Sequence, residues 1–249
     1  METEQYSKPP IVEAVVELTF GAETRDATIK RFVRELNKSH PKTDEVYDLT
    51  VSIDDKSNAQ NPKADVKQQL GQRRLFSADG TDVIFVSATK LGTARKAPYS
   101  GWDELARRVR NNYAIMRKLA GHRKVTRLAT RYINRIDIPN PSKEPVETND
   151  YVFIEPAVPK VFPLLGGFNI RYVGLIPDMS MQCNVIGSTV KSPIIDHESV
   201  VLDIDLYKDK DLPQREDELW EVLEVLHMKK NEIFESFITE KARSLFSHA

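Results

Sequence analysis

The sequence predicts an α+β fold: a mostly antiparallel sheet, or an open barrel, with helices packed on one side. Three observations predict it. Many short segments alternate apolar and polar residues, as half-buried strands do. Two long segments repeat apolar residues at three- and four-residue steps, as amphipathic helices do. Most strands are separated by turn signals rather than helices, which favours antiparallel neighbours.

The first strand spans 11–20 and follows Pro9-Pro10. It puts Val12, Ala14, Val16, Leu18 and Phe20 on one face and Glu13 and Glu17 on the other. Residues 25–38 follow as a helix, with Ile29, Phe32, Val33 and Leu36 at helical spacing. A second strand spans 46–53, and the polar stretch Asp54 to Lys67, with Asn61-Pro62, reads as a loop. Residues 72–89 form a hairpin turning at Asp79-Gly80, and Leu91 to Pro98 a connector.

The helix over 101–120 is the clearest. Ser100 can cap it, Trp102, Leu105, Val109 and Met116 form its apolar stripe, and Gly121 ends it. A long strand runs from Val125 to Ile138 and stops at Pro139-Asn140-Pro141. Six prolines make 139–165 largely irregular around a short strand at 151–154, and Gly166-Gly167 allows a bend. Further strands fall at 168–176, 179–186 and 197–207. A last helix runs from about Gln214 to Phe246, with Leu219, Val222, Leu223, Leu226, Ile233, Phe234 and Phe237 on its stripe. The whole reads as one module over 1–249. Two halves, about 1–140 and 141–249, share a loose order of elements without sequence identity.

Among 249 residues, 36 basic and 37 acidic side chains leave a net charge of −1. No global field therefore draws the chain onto nucleic acid or a membrane, and such binding needs a local patch. The start lacks the apolar core of a signal peptide, and no apolar run is long enough to span a bilayer. With a single cysteine, Cys183, read as a buried and inert thiol, the expectation is a cytoplasmic protein.

The most informative segment is 125–138. On a strand, Arg127, Arg131 and Arg135 share one face, about 13 Å apart in succession, with Asp137 beyond them. Glu13 with Glu17, and Asp203 with Asp205, are same-face acids on other strands. Three readings follow. The charges can be solvated cross-strand pairs, or a face that binds an acidic protein or a phosphate-bearing partner. Inside a closed barrel they can instead hold a phosphate chain and a divalent metal, which resembles the triphosphate-tunnel enzymes. The opening motif of those enzymes is Glu-x-Glu-x-Lys, whereas the spacing here is Glu13-x-x-x-Glu17.

The densest basic cluster, Arg107, Arg108, Arg110, Arg117 and Lys118 followed by Arg123, Lys124 and Arg127, lies on and just after the 101–120 helix. Tyr99, Trp102 and Tyr113 lie among these charges. This composition suits a single-stranded nucleic-acid surface or, more simply, a solvated helix face over core aromatics. No Gly-x-Ser-x-Gly, phosphate-binding loop or His-Glu-x-x-His is present, the five histidines lack metal-ligand spacing, and no cofactor is expected. Asp196-His197-Glu198 alternates faces on a strand and cannot converge.

The opening 9–20, Tyr99-Ser100-Gly101-Trp102, the core Arg131-Tyr132-Ile133-Asn134-Arg135-Ile136 and Asp203-Ile204-Asp205 resemble a sporadically distributed bacterial family of similar length. So does the ending, Leu226-His227 with Phe234-Glu235 and Thr239. The resemblance implies a single full-length module, and it carries no assigned reaction or cofactor. The patchy distribution associates the family with mobile accessory genes, such as phage-defence or toxin–antitoxin cargo. The expected function is a binding or regulatory protein rather than an enzyme, with a second copy able to dock on the C-terminal helix. A metal-dependent phosphate-tunnel enzyme and a nucleic-acid-binding defence component are the alternatives.

Overall fold

The structure, a computed structural model, describes residues 6–53, 64–154, 161 and 167–247. Its described strands join into one nine-stranded antiparallel sheet with four α-helices against it, an α+β architecture. The strands are β1 (Ile11–Phe20), β2 (Lys42–Ile53), β3 (Ala64–Phe76), β4 (Asp82–Val86), β5 (Lys90–Lys96), β6 (Val125–Pro139), β7 (Asn169–Ile176), β8 (Met181–Lys191) and β9 (His197–Lys208). The helices are α1 (Asp26–Leu36), α2 (Trp102–Ala120), α3 (Glu216–Phe237) and α4 (Glu240–Ser247).

The strand order is β2-β3-β4-β5-β1-β6-β9-β8-β7, so the sheet is open rather than closed on itself. This order is nearly symmetric about the β1–β6 seam. On each side a first strand leaves the centre, a meander returns from the edge, and a long helix follows. The helices share one face, the inner one. Ala14, Leu18, Leu128, Tyr132, Ile204 and Leu206 bury there beneath α2 and α3. Removing a leucine-sized side chain from such a core costs about 2–5 kcal/mol. Among the described residues no helix lies over the outer face of the central strands, as antiparallel sheets permit.

Four local expectations are corrected. Leu91 to Pro98 is not a connector, because Lys90–Lys96 is a central strand between β4 and β1. Gly92, within that expected connector, is there for space: a Cβ would lie 2.9 Å from the ring of Phe85 on β4. Helix α2 takes Gly101 as its N-cap, with φ 98°, and Ser100 does not cap it. Residues 151–154 form no strand. Val152 makes a single bridge to Ile238, and Val152 and Ile154 are buried.

That bridge also breaks the long C-terminal helix in two. Ile238 is extended, Thr239 N–H donates to the Tyr151 carbonyl at 3.0 Å, and Phe153 N–H donates to the Phe237 carbonyl at 2.9 Å. The expected loop Asp54 to Lys67 lies over 54–63 outside the described residues, and 64–67 belong to β3. Gly166 and most of 155–165 also lie outside them. No helix among the described residues is long and apolar enough to cross a membrane.

Candidate functional site

The outer face gathers seven of the nine residues singled out in the sequence. Arg127, Arg131 and Arg135 stand on β6, Glu13 and Glu17 on β1, and Asp203 and Asp205 on β9. Register fixes who meets whom, because residues opposite each other in adjacent strands share a face. Arg131 stands opposite Asp205, and its guanidinium reaches diagonally to Asp203 with two hydrogen bonds, 2.9 Å from Nε and 2.6 Å from Nη2. Arg127 donates to Glu17 at 3.1 Å and Asp205 at 3.3 Å, and its guanidinium lies 4.2 Å from the Tyr207 ring centre. Arg135 pairs with Asp137 on its own strand at 2.9 Å.

The stripe is therefore neutralised by its neighbours. Burial raises the Asp205 carboxyl above its ordinary value in spite of Arg127 and Arg131. Because the sheet is open, these groups lie side by side, and no described strand faces them across a lumen. No group of three or more metal-ligating side chains converges among the described residues.

Arg107 and Arg110 are elsewhere, on α2. Arg107 donates to Glu104 at 2.7 Å, and Arg110 reaches Glu224 of α3 at 2.9 Å. Arg108 pairs with Glu104 and Asp82, Arg117 pairs with Glu216, and Arg123 donates to the carbonyls of Ala22 and Glu23. These arginines of the densest basic cluster are thus tied into helix and loop contacts, while Lys118 and Lys124 are exposed. Cys183 is buried, and its thiol is pushed up to about 11 by burial, as an inert core thiol should be.

A second site, a concave one, was not singled out in the sequence. It is a cavity of about 450 Å³ on the helix side of the sheet, where Pro9, Pro10 and Ile11 at the start of β1 meet β6, the start of α2, and α3. From β6 come Tyr132 and Asn134, from the turn before α2 Tyr99 and Gly101, and from α2 Trp102. Helix α3 supplies His227, Lys230, Asn231, Phe234 and Glu235. These α3 residues recur at three- and four-residue steps, so they form one face of the helix.

A continuous hydrogen-bonded chain runs through it. Lys230 Nζ donates to Asn231 Oδ1, and Asn231 Nδ2 donates to His227 Nε2 at 3.2 Å. That leaves the proton of the neutral imidazole on Nδ1, which lies 3.4 Å from the Tyr132 hydroxyl. The Tyr132 hydroxyl is 3.1 Å from that of Tyr99. His227 stacks on Trp102 with ring centres 4.0 Å apart and planes 4° from parallel, and Trp102 Nε1 donates to Glu224 at 2.6 Å.

Burial dominates the electrostatics of this chain. Lys230 is 5% exposed, its Nζ sits 3.6 Å from the Tyr132 ring centre, and it has no carboxylate within ion-pair distance among the described residues. Burial pulls its ammonium down to about 7, and Glu235 opposes this only weakly from a distance. Burial holds His227 down to about 3, so the imidazole stays neutral, and it pushes Tyr99 up to about 12. Perturbed groups converging in a cleft are a common mark of a functional site.

The missed residues did leave a signal. Asn134 stood on the core face of its strand, and His227 and Lys230 lay within the apolar stripe of the last helix. Polar side chains at interior positions need a partner or a purpose. Of the segments singled out in the sequence, 9–20, 99–102, 131–136, 226–227 and 234–235 contribute residues to this cavity, whereas Asp203-Ile204-Asp205 and Thr239 do not. No family model matches the chain, and no curated protein matches it significantly.

Proposed function

We propose that this protein is a binding protein whose recognition site is the cavity between β6, α2 and α3. It holds a small organic ligand with a flat, largely apolar body. The observation that carries the reading is the chain Lys230–Asn231–His227–Tyr132–Tyr99, which lines a cavity walled by Trp102, Phe234 and Ile11. Stability alone gives little reason to bury a lysine and a histidine where apolar side chains would pack as well. A cavity of this size suits a metabolite-sized molecule, with aromatic walls for area and a few polar groups for orientation.

Thermal-shift screening of the purified protein against a metabolite library, followed by calorimetry of the hits, tests this. Ligands should raise the melting temperature of the wild type, and Trp102→Ala should abolish the shift while the protein still folds. Hits that bind Trp102→Ala and Tyr132→Phe as well as the wild type would place the ligand elsewhere.

A second reading keeps the outer face as a docking surface for a protein or phosphate-bearing partner, in an accessory or regulatory role. One observation favours it: the Arg131 side chain is 49% exposed even while paired with Asp203. Its test is the Arg131 variant described in the Discussion.

A further inference from the structure

The hydrogen-bond directions in this cavity run one way. Lys230 has three protons, and Asn231 Oδ1 accepts one. Asn231 uses its amide to donate to His227, which leaves His227 Nδ1–H to donate to Tyr132, and Tyr132 can then donate only to Tyr99. The Tyr99 hydroxyl proton is left over at the end of the chain. Each acceptor along this chain already receives a proton, and what the chain offers an occupant is donors, the remaining Lys230 protons at one end and the Tyr99 O–H at the other.

The carboxylate that also lines the cavity, Glu235, is engaged. It accepts from the Tyr6 hydroxyl at 2.8 Å and from Arg243 Nε at 3.0 Å. Lys230 itself is a buried cation-capable group with no acid in ion-pair reach among the described residues, contacting only an amide oxygen and the face of a ring. A buried ammonium is ordinarily paired, so the missing charge is one the ligand can bring.

We infer that the ligand is an organic monoanion, a carboxylate on a flat ring-sized body, whose carboxylate pairs with the Lys230 ammonium. This rests on the cavity being the ligand site. A single cation favours one negative charge over a phosphate dianion, because an unmatched second charge would be buried without a partner.

Proton uptake follows from the pairing. The groups around Lys230 are His227, Asn231 and Glu235 on α3, Tyr132 on β6, Tyr99 before α2 and Tyr6 at the start of the described chain. His227 is held neutral down to about pH 3, and Tyr99 stays protonated to about 12, so neither titrates between pH 6 and 9. Lys230 titrates near 7 in the free protein, and a bound carboxylate raises that value. Carboxylate affinity therefore falls as pH rises above 7, by up to about tenfold per pH unit.

Calorimetry with benzoate and its neutral counterpart benzamide as probes tests the inference, at pH 7 and 9 in buffers of differing ionisation enthalpy. The wild type should bind benzoate at least tenfold more tightly than benzamide at pH 7, take up a fraction of a proton, and lose most of that preference at pH 9. Lys230→Met should bind the two probes equally. Equal binding by the wild type at pH 7 would overturn the carboxylate assignment and leave the cavity as a neutral-ligand site. A benzoate preference that persists in Lys230→Met or is flat with pH overturns the role of Lys230. Binding of neither probe, or binding undiminished in Trp102→Ala, overturns the assignment together with the cavity reading. Should Lys230→Met fail to fold, the wild-type pH profile and proton uptake decide alone.

Discussion

Arg131 and Asp203 share one ion pair but not one environment: the guanidinium is half exposed, while the Asp203 carboxylate is 11% exposed. Truncating Arg131 leaves a mostly buried carboxylate without its bidentate donor, the expensive side of such a contact. Arg131→Ala should lower stability by about 1–2 kcal/mol, after allowance for screening at the exposed end. A melting temperature within a degree of wild type, together with loss of a captured partner, would turn the pair into a docking element. Lys230 gives the opposite signature. Its folded value, about 7, lies below the ordinary 10.5, so between those values the unfolded chain holds more protons than the native one. Stability from this group therefore rises with pH over that window, by at most about 1.4 kcal/mol per unit. Lys230→Met removes the slope, so its gain over wild type should be largest near pH 7 and shrink toward pH 10 in denaturant titrations. The contrast shows what was legible. The arginine and acid positions followed from strand alternation alone, and only the partners needed the register. Lys230 and His227 were hidden because the sequence shows a polar residue in an apolar stripe without showing what the stripe faces.

The C-terminal stripe was legible as a helix face, and its burial followed. Leu219, Leu223 and Leu226 lie beneath the chain's own sheet. Leu223→Glu with Leu226→Glu buries two carboxylates without partners, each costing several kcal/mol, against a typical margin of about 5–15 kcal/mol. Loss of the native circular dichroism spectrum is expected; a folded double variant that changes only its light-scattering mass would assign the stripe to self-association. The break at Ile238 was not legible, because the apolar period continues through it to Ala242 and Phe246. It is imposed by a tertiary partner, the segment at Tyr151–Phe153, rather than by a local breaker. Thr239 then restarts the helix: its Oγ1 accepts from Ala242 N–H at 3.3 Å and donates to the Asp150 carbonyl at 2.5 Å. Thr239→Ala should cost about 1 kcal/mol, and Thr239→Ser should restore most of it. Strand β5 was missed for a related reason, since Gly92 and the small residues beside it read as a loop until β1 and β4 supply its pairing.

The sheet is one surface whose two flanks meet along β1 and β6, and the cavity sits against the end of that seam where Pro9 and Pro10 enter. Antiparallel order and the layered class could be read from alternation and turn signals, but the strand order could not, since it joins segments far apart in sequence. Cutting the chain between Gly121 and Lys124 leaves each piece with an unpaired central strand, a ready template for wrong partners. The two pieces should be insoluble when expressed separately and should co-purify when expressed together; independent solubility of either would show that the seam is not needed for folding. The same seam sets a schedule for synthesis. Glu13 pairs with Lys96 on one side and Ile133 on the other, so β1 is made first and is completed only when β6 emerges. At ordinary elongation rates its second neighbour emerges on the order of ten seconds later. For that interval a strand rich in valine and leucine waits with an open edge, which makes the nascent chain a client for holding chaperones until β6 arrives.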